Sequence, residues 1–248
     1  MSSCPQDAST REELEKRADA ALYWAKRNGK DLCAVASEVA RSDSTGDTDG
    51  ILAHLYAMVA AIDARELATR DHSENVAAYA VAVGQELGLD RERIMALRRA
   101  ALLHDIGKIT VAADILAKPG KLDPLEWAQI QRHPLVGATM LAHAGLMEES
   151  GWIRHHHERM DGQGYPDGLL GERIPLEARI IFVADSFEAM TSDRPYRAGM
   201  EVDDAMAELR RHAGAQFDAR IVDALVELIG RGELAVLALR VEPSAATA

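Results

Sequence analysis

Apolar residues recur at helical spacing along most of this 248-residue chain, in segments separated by Gly, Pro, Asn and Asp. Between Arg11 and Arg27, Leu14, Ala18, Ala21, Leu22 and Ala25 line one face, and Asn28-Gly29 supplies the stop. The same reading predicts helices over 51–70, 73–87, 91–103, 124–131, 135–144, 147–157, 175–190, 202–212 and 218–229. Strand-like alternation is sparse, and no repeat recurs at solenoid spacing. RSDSTGDTDG, residues 41–50, has no apolar area to bury and reads as a linker, while the terminal EPSAATA reads as a frayed tail. The expected organisation is an all-α helical bundle over 51–235, preceded by a helical segment (1–40) and the linker, and followed by a tail (236–248).

Composition narrows the function classes. With 48% hydrophobic residues but only 4% aromatics, the core must be built from Ala, Leu, Ile, Val and Met, which favours helices. Lys and Arg number 28 against 40 Asp and Glu, a net charge of −12 that argues against a general grip on a nucleic acid polymer or anionic lipid. An anionic substrate then needs metal ions or local Lys and Arg to reverse the field. Cys4 and Cys33 are too few for a disulfide framework or a thiolate zinc site, and no apolar stretch approaches 18 residues. A cytoplasmic chain with no membrane segment is the expectation.

The chemistry-bearing residues are histidines in acidic company: His104-Asp105, His133-Pro134, His155-His156-His157-Glu158, and Asp185 inside an apolar helix. A single His-Asp pair is weak, because a core histidine satisfied by a carboxylate looks the same. Context shifts the balance. Ala100-Ala101-Leu102-Leu103 runs directly into His104-Asp105-Ile106-Gly107-Lys108, so ionisable groups end a helix that is otherwise buried. A metal ion removes the cost of burying them, since imidazole nitrogen and carboxylate oxygen are its ligands and one carboxylate can bridge two cations. Gly107 would let the chain turn sharply, leaving Lys108 free to meet a phosphate. Asp185 follows Ile180-Ile181-Phe182-Val183-Ala184, and the competing reading is a buried ion pair with Arg179 or Arg194. Two adjacent histidines of this run can each serve a different cation of a pair about 3.5–4 Å apart, because neighbouring side chains on a helix diverge by about 100°.

Several of these segments together resemble the HD-GYP domains, a branch of the HD phosphohydrolases. The resemblance rests on HDIGK (104–108), Lys118-Pro119-Gly120, His133-Pro134, HHERMDGQGYP (156–166) and ADSFEAMTSDRPYR around Asp185, and it spans about residues 63 to 230. It implies an HD-type helical bundle that hydrolyses cyclic di-GMP to linear pGpG, and in some members on to GMP, with two divalent cations activating a water. The ligands it implies are His72, His104, Asp105, His133, His156, His157 and Asp185, with Asp105 bridging. Lys108 would contact the scissile phosphate, Arg194 and Arg197 would meet phosphate or guanine, and Tyr165 would shape the entrance. Iron or manganese is the expected metal, with Co, Ni or Zn also compatible with the donors. The alternatives are a catalytically silent cyclic di-GMP-binding module and a phosphohydrolase acting on another nucleotide.

Two positions depart from the family pattern. Members that hold three metals carry a glutamate four residues before the first histidine; Ala68 stands there, with Glu66 two residues off, so a dinuclear site is expected. Glu188 stands three residues after Asp185 where Asp is more usual, a change expected to alter the support of the ligands and not the ligands themselves. Separately, LEKRADAALYWAKRNGKD (14–31) resembles the closing helix of a GGDEF domain, without that domain's catalytic loop. The resemblance implies a GGDEF-type or sensor partner domain in a longer protein, or an orphan helix that packs on the bundle or pairs a homodimer.

Overall fold

The computed structural model describes residues 48–64, 72–118, 120–193 and 198–234. The helix expected over 11–27, Glu66, Ala68, Arg194, Arg197 and the tail lie outside the described residues. The chain divides into Met1–Ala53 and His54–Ala248, and the fold that follows is that of the second unit.

Its elements are α1 (Thr48–Asp63), which starts in the first unit, α2 (His72–Glu86), α3 (Arg91–Leu103), a 3-10 turn (Ile106–Thr110) and a single turn α4 (Ala113–Leu116). Then come α5 (Pro124–Ile130), α6 (His133–His143), α7 (Met147–Arg154), a second 3-10 turn (Gly171–Arg173), α8 (Leu176–Thr191), α9 (Val202–Arg211) and α10 (Ala219–Gly230). Among the described residues there is no strand, only isolated bridges such as Asp161 to Leu170. The all-α expectation holds, and most boundaries fall within a few residues of the periodicity. Three details differ. Residues 48–50, placed in the linker, are helical; three short helical turns were too brief to show a period; and α7 stops at Arg154, so that His156 and His157 lie in a turn and not on a helix.

Local chemistry accounts for the boundaries. Asp90 caps α3 by accepting from the Arg93 N–H, and Asp218 caps α10 by accepting from that of Arg220. Asp123 and Glu126 form a reciprocal capping box around Pro124, which suits a first helical position because it has no N–H to satisfy. The centre of the bundle is α2, which packs against α3, α8 and α10. Val76, Ala80, Leu97, Ala100, Ala101, Leu103, Ile180 and Ile181 are wholly buried there. Small residues at these contacts let helix axes approach closely, the packing expected of an aromatic-poor chain. The 3-10 turn rests against α6, and α6 against α7, which brings together the segments that carry His104, His133, His156 and His157.

Candidate metal centre

His104 and Asp105 end α3, where the chain tightens into the 3-10 turn. His133 opens α6, His156 and His157 follow α7, His72 opens α2 and Asp185 projects from the middle of α8. These seven side chains meet. Ligand-type atoms of Asp105, His133, His156 and His157 lie within 4.8 Å of one another, and so do those of His72, His104 and Asp185. Asp105 joins the groups: Oδ1 is 3.2 Å from His133 Nε2, while Oδ2 is 3.3 Å from His104 Nε2 and 3.8 Å from His72 Nε2. Asp185 Oδ1 is 3.5 Å from His72 Nε2 and 3.9 Å from His104 Nε2. His156 and His157 therefore fall in the same group, not one in each: adjacent residues in a turn need not diverge as they do on a helix.

The backbone fixes which ring nitrogen faces inward. His104 Nδ1 lies 2.7 Å from Ala101 O, His133 Nδ1 2.7 Å from Ile130 O, and His156 Nδ1 2.6 Å from Ile153 O. A carbonyl can only accept, so each Nδ1 carries the proton and donates. In the neutral ring Nε2 then presents a lone pair to the site. His72 does the same through Glu188 Oε2, 2.5 Å from its Nδ1. His133 Nε2 and His156 Nε2 face each other at 3.3 Å, an arrangement of two lone pairs that is repulsive unless a cation or a proton stands with them. His104 Nε2 is fully buried and has no partner in hydrogen-bond geometry. Such a donor set fits divalent cations.

The electrostatics agree. Burial, reinforced by neighbouring imidazoles, pushes His156 and His157 well below the usual histidine range, so both are neutral. Burial also opposes charge on His104, but the carboxylates of Asp105 and Asp185 outweigh it and raise its pKa to about 9. Burial works against the Asp105 carboxylate as well, yet Lys108, His104 and His133 hold it well below the ordinary carboxylate range. The field that would hold a proton on His104 is the field that attracts a metal cation.

Other expected residues take defined places. Lys108 Nζ is 2.7 Å from Asp105 Oδ2, so its ammonium stands beside the central carboxylate. Tyr165 stacks on His157, with ring centroids 4.9 Å apart and planes at 29°, and burial raises its pKa. Asp185 does not pair with Arg179, whose Nη1 instead binds Asp218 Oδ2 at 2.5 Å. Gly107 is required for a reason other than a sharp turn. A Cβ there would lie 2.0 Å from His133 O and 2.7 Å from Gly137 N, because the 3-10 turn abuts the start of α6. In the GYP segment, a Cβ on Gly164 would lie 2.4 Å from Arg159 N, since the loop folds back on the chain after His157. Tyr165 N–H closes that fold onto His157 O.

Three acids support the cluster; the sequence reading gave Glu188 that role, whereas it gave none to Glu158 and Asp63. Glu188 Oε2 orients His72, and Ser192 Oγ donates to Glu188 Oε1 at 2.7 Å. The signal was its position one turn after Asp185, on the same face of α8. Buried Glu158 accepts from Asp167 N at 2.7 Å and Leu169 N at 3.0 Å, pinning the loop that carries Tyr165. Asp63, buried at the end of α1, has a pKa raised by burial and partly offset by Ser73 and His72. A lone acid after the apolar run VAAI was its only mark.

Comparison with known proteins bears on this geometry. A family model described as HD domain matches residues 55–221. The chain is 43% identical over 183 residues to the cyclic di-GMP phosphodiesterase response regulator RpfG of Xanthomonas campestris, covering 73% of this chain and 48% of that protein. It is 42% identical over 166 residues to 3'3'-cGAMP-specific phosphodiesterase 3 of Vibrio cholerae, covering 66% of this chain and 36% of the other. It thus spans half or less of the length of these relatives. Among solved structures, a cyclic GMP-AMP phosphodiesterase of V. cholerae superimposes with a TM-score of 0.59 at 18% identity, over 75% of this chain and 51% of that one, a likeness of fold.

Proposed function

This chain belongs to the HD domain family, and on that premise we propose that it is a metal-dependent phosphodiesterase that opens cyclic di-GMP to linear pGpG. The carrying observation is the convergence of five imidazoles and two carboxylates, from five separate stretches of chain, into two adjoining ligand groups. His72, His104 and Asp185 would hold one divalent cation, His133, His156 and His157 the other, and Asp105 would bridge them. Iron or manganese suits these nitrogen and oxygen donors, as do Co, Ni and Zn. When bound, such a pair supplies Lewis acidity toward the phosphodiester and lowers the pKa of a water.

The chain's own residues supply the rest. Lys108, beside Asp105 in the site, offers positive charge to the phosphate of an anionic dinucleotide in a protein that is otherwise acidic. Tyr165 walls the side of the site next to His157, and Glu158 holds that wall in place by fixing the loop backbone. Arg194 and Arg197 are proposed as further contacts to phosphate or guanine. The first product, pGpG, retains one phosphodiester of the same kind, whose cleavage would yield GMP. The nucleotide substrate implies a cytoplasmic setting, and the partial coverage of the relatives leaves room for a GGDEF-type or sensor partner domain and for homodimer pairing.

The test is metal analysis and turnover on one preparation. About two ions per chain and hydrolysis of cyclic di-GMP are expected, with both lost in Asp105→Ala. Absence of hydrolysis by metal-replete protein would refute the reading, and tight binding without cleavage would assign a silent cyclic di-GMP module. A second substrate, 3'3'-cGAMP, is favoured by the 42% identity to a phosphodiesterase named for it, and belongs in the same assay.

A further inference from the structure

Trp127 lies on α5, a short helix with no buried residue, and leaves 45% of its surface exposed. Tryptophan is rarely left so open, since its ring is a large apolar area that folding usually covers. The ring is not isolated. It meets Tyr165 edge to face, with centroids 6.2 Å apart and planes at 78°, and Tyr165 is itself stacked on His157. An aromatic path of two ring contacts therefore leads from an exposed indole to a histidine of the ligand cluster.

The start of the helix that carries this indole is braced by bonds within its own segment. Asp123 accepts from the Leu125 and Glu126 N–H groups, Glu126 accepts from the Asp123 N–H, and Lys118 Nζ donates to both Glu126 oxygens at 2.7 and 2.6 Å. Local order in the segment lowers the entropy lost when a ligand settles on one of its side chains. Leu125, 78% exposed on the same helix, does not share the feature. Two residues apart on a helix means about 200° of rotation, so Leu125 faces away from Trp127.

We infer that Trp127 is a stacking platform for a purine base of the nucleotide whose phosphate reaches the His/Asp centre. The inference rests on the phosphodiester substrate proposed above and adds a residue that recognises its base. An acidic chain gains little from long-range attraction to a dianionic nucleotide, whereas stacking on an aromatic face depends on neither net charge nor base sequence. A ring in edge contact with the wall of the site is positioned to offer that face.

The experiment uses the full metal-loaded chain and the variants Trp127→Ala, Trp127→Phe and Leu125→Ala. With cyclic di-GMP, Trp127→Ala is expected to raise KM about tenfold or more, on the usual scale of base stacking, with kcat within about twofold. Trp127→Phe recovers most of the loss and Leu125→Ala behaves as wild type. GMP alone is expected to quench Trp127 emission against the background of Trp24 and Trp152, and Trp127→Phe abolishes that quenching. An unchanged KM in Trp127→Ala, a loss confined to kcat, or quenching by GMP that persists in Trp127→Phe overturns the inference. If wild-type protein cleaves no cyclic dinucleotide, the phosphodiesterase reading fails, while the GMP titration still decides whether the indole receives a purine.

Discussion

Replacing Gly107 by alanine adds one methyl group where the structure has no room for it. The new Cβ would stand 2.0 Å from His133 O, 2.7 Å from Gly137 N and 2.8 Å from His133 C, all backbone atoms that no rotamer change can move. Ordinary contact begins near 3.4 Å, so the 3-10 turn and the start of α6 must separate by more than 1 Å. Overpacking of this kind costs about 3 kcal/mol or more, which in a domain of this size lowers Tm by roughly 6–12 °C. The same displacement parts Asp105 Oδ1 from His133 Nε2, now 3.2 Å apart. A misplacement of about 1 Å at a reacting centre commonly costs on the order of a hundredfold in rate. Gly151→Ala is the internal control, because its Cβ meets nothing within 4 Å inside α7 and gains about 0.5–1 kcal/mol from helix propensity. Thermal unfolding and metal content of both variants provide the assay. Gly107→Ala with wild-type Tm and full metal occupancy would refute the claim that the glycine is there for close approach.

Two further outcomes follow from buried acids. Glu188→Gln keeps an acceptor near His72 but removes the charge, and metal affinity measured by chelator competition is expected to fall about 10–100-fold with little change in Tm; unchanged affinity would mean the acid does not steer the ring. Asp218→Asn retains a helix cap but strands the buried Arg179 guanidinium, at a cost of about 3 kcal/mol near neutral pH. Burial opposes the Asp218 carboxylate, but Arg220 and Arg179 hold its folded pKa below the ordinary value. Its contribution is therefore complete above about pH 4 and lost as pH falls through the lowered value, so the Tm gap between wild type and variant must close in acid and not in base.

Much of this protein is legible before folding is considered. The helix segments follow from periodicity, and their ends from Asp, Pro and Gly, because a helix's face and its unsatisfied terminal groups are local properties. His104-Asp105 drew notice for the same kind of reason, as ionisable groups ending an apolar run. The HDIGK, HHE and GYP segments carried the family resemblance without any coordinate.

What folding alone decided concerns atoms, not residues. His72 is separated by 116 positions from Glu188, the acid that turns its ring inward, and no local pattern joins them. The helix expected through His157 ended at Arg154, so tertiary packing placed His156 and His157 in one ligand group where helical geometry would have split them. Gly107 earned its place through a carbonyl 26 residues away on α6, and Trp127 its ring contact through a loop beyond α7. Chain chemistry sets which elements form, since that is settled within a few residues. The direction of a lone pair or the space for one methyl depends on how distant elements close upon each other, and only the packed bundle settles that.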